Sequence, residues 1–150
     1  METQYPNYWP QFYTATFYKW KNLLLDNQFK DIIIDSLKFM VENKRLELNA
    51  YVIMSNHIHL IWQALPWHTP STIQSSFMKF TAQQIKRKLA KEYPNRLATC
   101  KVNKYDREYQ IWKREPLGVE LFSRDVFRQK LVYIHYNPAV AGVCSFPEEY

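Results

Sequence analysis

Two histidines stand two residues apart in the stretch Ser55-Asn56-His57-Ile58-His59-Leu60-Ile61-Trp62-Gln63. In a strand, successive side chains point to opposite faces. His57 and His59 then share one face, while Ile58, Leu60 and Trp62 take the other. Two neutral imidazoles so placed can grip one metal ion or one phosphate. The competing reading makes one ring a core residue and leaves the other in solvent. Further along the chain, Tyr133 and Asn137 are four residues apart, which puts them one turn apart on a single helix face. Their phenol and carboxamide project together. If that face lies over the imidazoles, two rings and one amide oxygen surround a single cation, with a nucleophilic hydroxyl beside them.

Something must position these groups. Gln11 to Trp20 is rich in aromatic and β-branched residues and reads as a strand. Phe29, Ile33, Leu37 and Met40 recur at helical spacing, so residues 28–43 form an amphipathic helix. Leu46–Met54 and His57–Gln63 make a hairpin about the Ser55-Asn56 turn. A long helix capped by Ser71 or Thr72 runs to about Lys91, with Ile73, Phe77, Phe80, Ile85 and Leu89 on its apolar side. Residues 96–108 read as a polar loop and Tyr109–Lys113 as a fourth strand. Ser123 caps a last helix that reaches Tyr136 and stops at Pro138, with Phe127, Leu131 and Ile134 as its buried stripe. The order β-α-β-β-α-β-α is that of an α+β, ferredoxin-like antiparallel sheet with a C-terminal helix carrying Tyr133. No linker or repeat divides it, so residues 1–150 read as one domain.

Composition narrows the function. The chain is 47% hydrophobic and 17% aromatic, which suits a globular core rather than disorder. Two glycines leave no phosphate-binding glycine loop, and two cysteines give neither a disulfide framework nor a thiolate zinc site. No signal peptide opens at Met1-Glu2-Thr3-Gln4, and no apolar run reaches membrane-spanning length, so the chain reads as cytoplasmic. The net charge is +6, but it is localised. Between Lys79 and Arg114 there are eleven bases against three acids; elsewhere there are nine against eleven. Such a segment is either a solvated helix face or the contact for a polyanion. Aromatics interleave with its bases (Phe77, Phe80, Tyr93, Tyr105, Tyr109, Trp112), as on surfaces that stack unpaired bases while cations hold phosphates. Many of those rings must also be core.

The segment Val132-Tyr133-Ile134-His135-Tyr136-Asn137-Pro138, followed by Ala141-Gly142-Val143, resembles the end of the REP-associated tyrosine transposases. These are relatives of the single-strand insertion-sequence transposases within the HUH superfamily. His57-Ile58-His59 is similar to the His-hydrophobic-His motif that names that superfamily. The two motifs come in the expected order and at comparable distance, and the resemblance runs from the first strand to about Pro147.

The resemblance implies roles. Tyr133 is the nucleophile, His57 and His59 are metal ligands, and Asn137 is the third ligand, at a place where some relatives carry Gln. Tyr136 competes as nucleophile, but it lies about 100° around the helix from Asn137, against about 40° for Tyr133. Lys130, one turn before Tyr133, is either a phosphate contact or a solvated lysine. The implied function is metal-dependent cleavage and strand transfer at single-stranded or hairpin DNA through a 5′-phosphotyrosine link. The metal is Mg²⁺ or Mn²⁺; two imidazoles suit Mn²⁺ better. Two alternatives are a domesticated module that grips hairpins without cutting and a metal-dependent phosphodiesterase that uses water. Insertion-sequence relatives work as homodimers that exchange the tyrosine helix, while REP-associated ones act as monomers, and both states are open here. Other His-x-His enzymes fail on context. Amidohydrolase barrels need far more chain, histidine-triad hydrolases need a third His where Ile61 stands, and cupins need more glycine turns.

Overall fold

A computed structural model describes residues 8–150. Among them, six strands and four helices follow in the order β1 (Gln11–Thr16), α1 (Asn27–Glu42), β2 (Leu46–Ile53), β3 (His57–Ala64), α2 (Pro70–Glu92), α3 (Pro94–Ala98), β4 (Lys101–Lys104), β5 (Arg107–Tyr109), β6 (Leu117–Glu120) and α4 (Arg124–Val140). The main sheet is antiparallel with the order β2-β3-β1-β6, the ferredoxin-like arrangement expected from the sequence.

Alternation along β1 and β3 divides the sheet into two faces. Tyr13, Ala15, Phe17, Ile58, Leu60 and Trp62 face α1 and α2, where Phe29, Ile33, Phe77, Ile85 and Leu89 complete the larger core. Phe12 and Ile61 face the other way and join Val52, Met54 and Leu121 beneath Ile134 of α4. The helices start where side chains can satisfy their free N–H groups. Asp26 caps α1, Thr69 caps α2 in a reciprocal box with Thr72 and Pro70 in the first turn, and Ser123 caps α4.

Several expectations are corrected. The first strand ends at Thr16, and Tyr18–Trp20 form a 3₁₀ turn with Lys19 and Trp20 at positive φ. Thr69, rather than Ser71 or Thr72, caps α2. The polar stretch 96–108 is not a loop: it holds the end of α3 and most of the β4–β5 hairpin. Tyr109–Lys113 is not the fourth strand of the sheet. Only Trp112 bridges to Phe17 there, and its ring stacks on Phe17 at 4.2 Å while its indole N–H donates to Thr81 Oγ1. The segment's pairing is short: Tyr109 ends β5, and around the bridge Tyr18 N–H donates to the Ile111 carbonyl and Lys113 N–H to the Thr16 carbonyl. The edge strand is Leu117–Glu120, only four residues long and containing Gly118, so its signal is weak. Pro138 lies inside α4, buried, rather than beyond its end. A proline in a helix costs one backbone hydrogen bond and crowds the previous turn, and here burial of the ring against the sheet accompanies that cost. The buried stripe is accordingly Ile134 and Pro138, with Phe127 half-buried and Leu131 40% exposed.

Because α4 docks through few apolar side chains, Ile134→Ala is expected to destabilise the fold by about 2–4 kcal/mol. Leu131→Ala should change it by no more than about 0.5 kcal/mol. Urea unfolding of the two variants checks the contrast.

Candidate active site

The antiparallel register of β1 and β3 sets Thr14 opposite His59 and Thr16 opposite His57. Both histidines lie on the α4 face of the sheet. Their rings are 4.8 Å apart between centroids, at 73°. His59 is buried at 6% exposure and His57 is half-buried. Each ring has one nitrogen engaged. Thr14 Oγ1 is 2.8 Å from His59 Nδ1, and Asn56 Oδ1 is 2.6 Å from His57 Nδ1. With Nδ1–H donating to the Asn56 oxygen, His57 keeps a lone pair on Nε2. Partners of this kind fix the tautomer and orientation of an imidazole.

Asn56 is itself held in place. The tight turn closes through Met54 N–H to the His57 carbonyl, and the Asn56 carbonyl accepts from Phe17 N–H. Ser55 Oγ donates to Asn22 Oδ1, and the Ser55 carbonyl accepts from Leu24 N–H. The turn that launches β3 is therefore anchored on both sides.

Helix α4 brings Tyr133 to the pair. Its ring lies 5.3 Å from that of His59 and 5.8 Å from that of Phe12, edge-on to both. Phe12 stacks on His59 at 5.3 Å, so the three rings meet pairwise in one cluster. Tyr133 remains 47% exposed, open to a large substrate. Tyr136 lies elsewhere, against His135 at 5.3 Å. Lys130 Nζ sits 4.8 Å above the Phe12 ring and 5.7 Å from that of Tyr133. A cation there adds positive charge beside the phenol. Asn137 Oδ1 is buried and has no hydrogen-bond partner among the described residues.

Electrostatics favour neutral rings. Burial pulls the His59 pKa down to about 4, assisted by the nearby His57 and Lys130 charges, and burial lowers His57 as well. Among the described residues, no group of three or more His, Cys, Asp and Glu side chains gathers to hold a metal. An oxygen donor beside the pair would have to be an amide or a hydroxyl. The sequence patterns do not point to Thr14, to Phe12 or to the role of Asn56. The first two depend on the strand register, which the sequence does not display. Asn56 has a visible cue, since it directly precedes His57.

The sequence profile described as "Transposase IS200 like" matches residues 10–119, most of the chain. The chain belongs to the IS200-like transposase family. No curated protein sequence matches it. Among solved structures it is similar to a REP-associated tyrosine transposase bound to a REP hairpin, at 17% identity and a TM-score of 0.67, covering 99% of this chain and 80% of that one. It is also similar to a protein described as a transposase from Deinococcus radiodurans, at 18% identity and a TM-score of 0.55, covering 89% and 95%. At these identities the likeness shows the shared fold, consistent with the ferredoxin-like reading.

The lowered pKa of His59 has a consequence for this transposase relative. The unfolded chain takes up a proton on this ring near pH 6.5, while the folded one resists until about pH 4. Stability from this group is therefore present above pH 6.5 and is lost as pH falls toward 4. NMR titration in the presence of a chelator should find one imidazole still neutral at pH 5, and His59→Gln should flatten the acid limb of the stability profile.

Proposed function

We propose that this chain is a metal-dependent strand transferase that cuts single-stranded DNA next to a hairpin, with Tyr133 as nucleophile. The observation that carries the reading is the contact between the Tyr133 ring and the buried, neutral His59. The phenol also remains exposed to substrate.

The residues fit a divalent cation. The Nδ1 atoms of both rings are engaged, which leaves the outer nitrogens for coordination. Asn137 supplies a buried oxygen with no partner among the described residues, a costly arrangement unless something else occupies it. His57, His59 and Asn137 would hold the ion, Mg²⁺ or Mn²⁺. When bound, such an ion draws charge from a phosphate and orients it for in-line attack. The chain's own groups do the rest. Lys130 offers a cation to the phosphate beside Tyr133. Phe12 fixes the phenol edge-on and shields His59 from water. The Tyr133 oxygen loses its proton, forms a bond to phosphorus and displaces the 3′-oxygen, which takes up a proton and leaves as a free hydroxyl. The resulting 5′-phosphotyrosine is still a phosphodiester, with the bond to the 3′-oxygen replaced by one to Tyr133, so a second 3′-hydroxyl can reverse the step and join two strands. The REP hairpin bound by the structurally similar transposase supports the choice of substrate.

The test uses labelled hairpin oligonucleotides with randomised single-stranded flanks and Mn²⁺. A protein–DNA adduct that survives denaturation should form and should vanish in Tyr133→Phe but persist in Tyr136→Phe. Tight binding with no adduct would favour a hairpin-binding module; free DNA ends that survive Tyr133→Phe would favour a water-using phosphodiesterase. In calorimetry Mn²⁺ should bind more tightly than Mg²⁺. Asn56→Ala should weaken that binding about 10–100-fold, the usual effect of losing a partner that orients a ligand.

A further inference from the structure

The excess positive charge of the chain is not spread around the site just described. Much of it converges on a groove on the opposite face of the sheet. This groove, of about 710 Å³, runs between α2 and the segment from β5 to Pro116. Lys79 and Lys86 stand on the α2 wall, with Arg107, Lys113 and Arg114 on the other. Asp106 is the sole carboxylate of its lining, and it is already bound. Its Oδ2 accepts from Arg107 at 3.0 Å and from Arg114 at 3.1 Å, which ties β5 to the segment that follows it. Lys79, Lys86 and Lys113 carry charge with no carboxylate partner among the described residues.

The interior of the groove differs from its rim. Tyr109 and Met78 supply half-buried aromatic and apolar surface, and Gln74 and Gln83 supply amides, with Trp112 and Gln110 buried behind them. Gly118 pairs opposite Tyr13 in the β1–β6 ladder, beside the Gln74 amide, which donates to Gln11 Oε1 at 2.9 Å. Tyr13 forms part of the floor. It is fully buried, its hydroxyl has no partner among the described residues, and burial holds its pKa far above the usual phenol value, so it stays a donor. Cations along a rim with an accessible ring and amides inside is chemistry that can hold a single nucleic-acid strand.

Strand β1 separates the two sites. Tyr13 lies buried beneath the groove, while its neighbours Phe12 and Thr14 point to Tyr133 and His59 on the reverse side. We infer that the groove is a second DNA site, which holds unpaired strand leading away from the phosphate attacked by Tyr133, passing around the short β6 edge. This rests on the reading of the chain as a DNA strand transferase, but it can be tested without cleavage.

In a Tyr133→Phe background, binding of a labelled single strand of randomised sequence is measured across a salt series. Lys79→Ala/Lys86→Ala should weaken binding about tenfold and reduce the slope of log affinity against log salt by about 1.4, that is about 0.7 for each phosphate no longer neutralised. Lys79→Arg/Lys86→Arg should restore it. Lys38→Ala/Lys91→Ala removes the same charge away from the groove and should cost no more than about twofold, as expected when only the overall field changes. Equal losses in the two alanine pairs would overturn the inference, as would a blunt duplex that binds and loses affinity just as the single strand does. Adduct formation on the hairpin pool is scored separately with Tyr133 present. Failure there removes the proposed chemistry and leaves the binding result to decide the groove.

Discussion

The antiparallel pairing of β1 with β3 is the constraint on which the rest of this structure depends. It aligns Thr14 with His59 and sends Phe12, Thr14, His57 and His59 to one face. The same pairing sends Tyr13, Ala15, Ile58 and Leu60 to the other. A slip of one residue would exchange the two sets. It would put imidazoles into the apolar layer under α1 and α2 and expose Leu60 and Ile58 to the thin layer under α4. The cost of burying unpaired polar rings adds to the gain from burying the aliphatic chains in holding the register.

The two faces are covered to different depths, and that difference suits their tasks. Helices α1 and α2 seal one face with a large core of nearly inaccessible side chains. Helix α4 covers the other with little more than Ile134, Pro138 and part of Phe127. A shallow contact leaves Tyr133 half-exposed while holding its ring against His59. A substrate as large as DNA needs such an open approach, whereas the imidazoles need the rigid strand beneath them. The C-terminal segment adds a tether on this side, since the Tyr150 hydroxyl donates to the Ile53 carbonyl at the end of β2.

The apolar surroundings also set the charge state of the site. Burial keeps His59 neutral, and Lys130 nearby reinforces this, so a lone pair is available at neutral pH. Lys130 stands over the Phe12 and Tyr133 rings, so the face that carries the phenol also carries a positive charge.

Much of this is legible in the chain. The period-two alternation around His57 and His59 and the four-residue spacing of Tyr133 and Asn137 are local patterns, fixed by backbone geometry. They mark the segments that meet where the Tyr133 ring lies against His59, and the order of the elements marks the fold. What stays hidden depends on contacts between distant residues. Trp112 looks like a strand residue because its burial against Phe17 gives it the same composition. The true edge strand at Leu117–Glu120 is too short to announce itself, since its pairing comes from β1 rather than from its own preference. Pro138 reads as a stop, and only its burial on the sheet side of α4 explains why the helix continues. Thr14 has no cue at all, because a hydroxyl becomes a partner for His59 only once two strands 45 residues apart are in register. Sequence by itself determined which groups could do chemistry and on which faces of their own elements they stand. The tertiary structure alone decided which of those faces meet, because register and docking are set by the packing of the whole core rather than by any one segment.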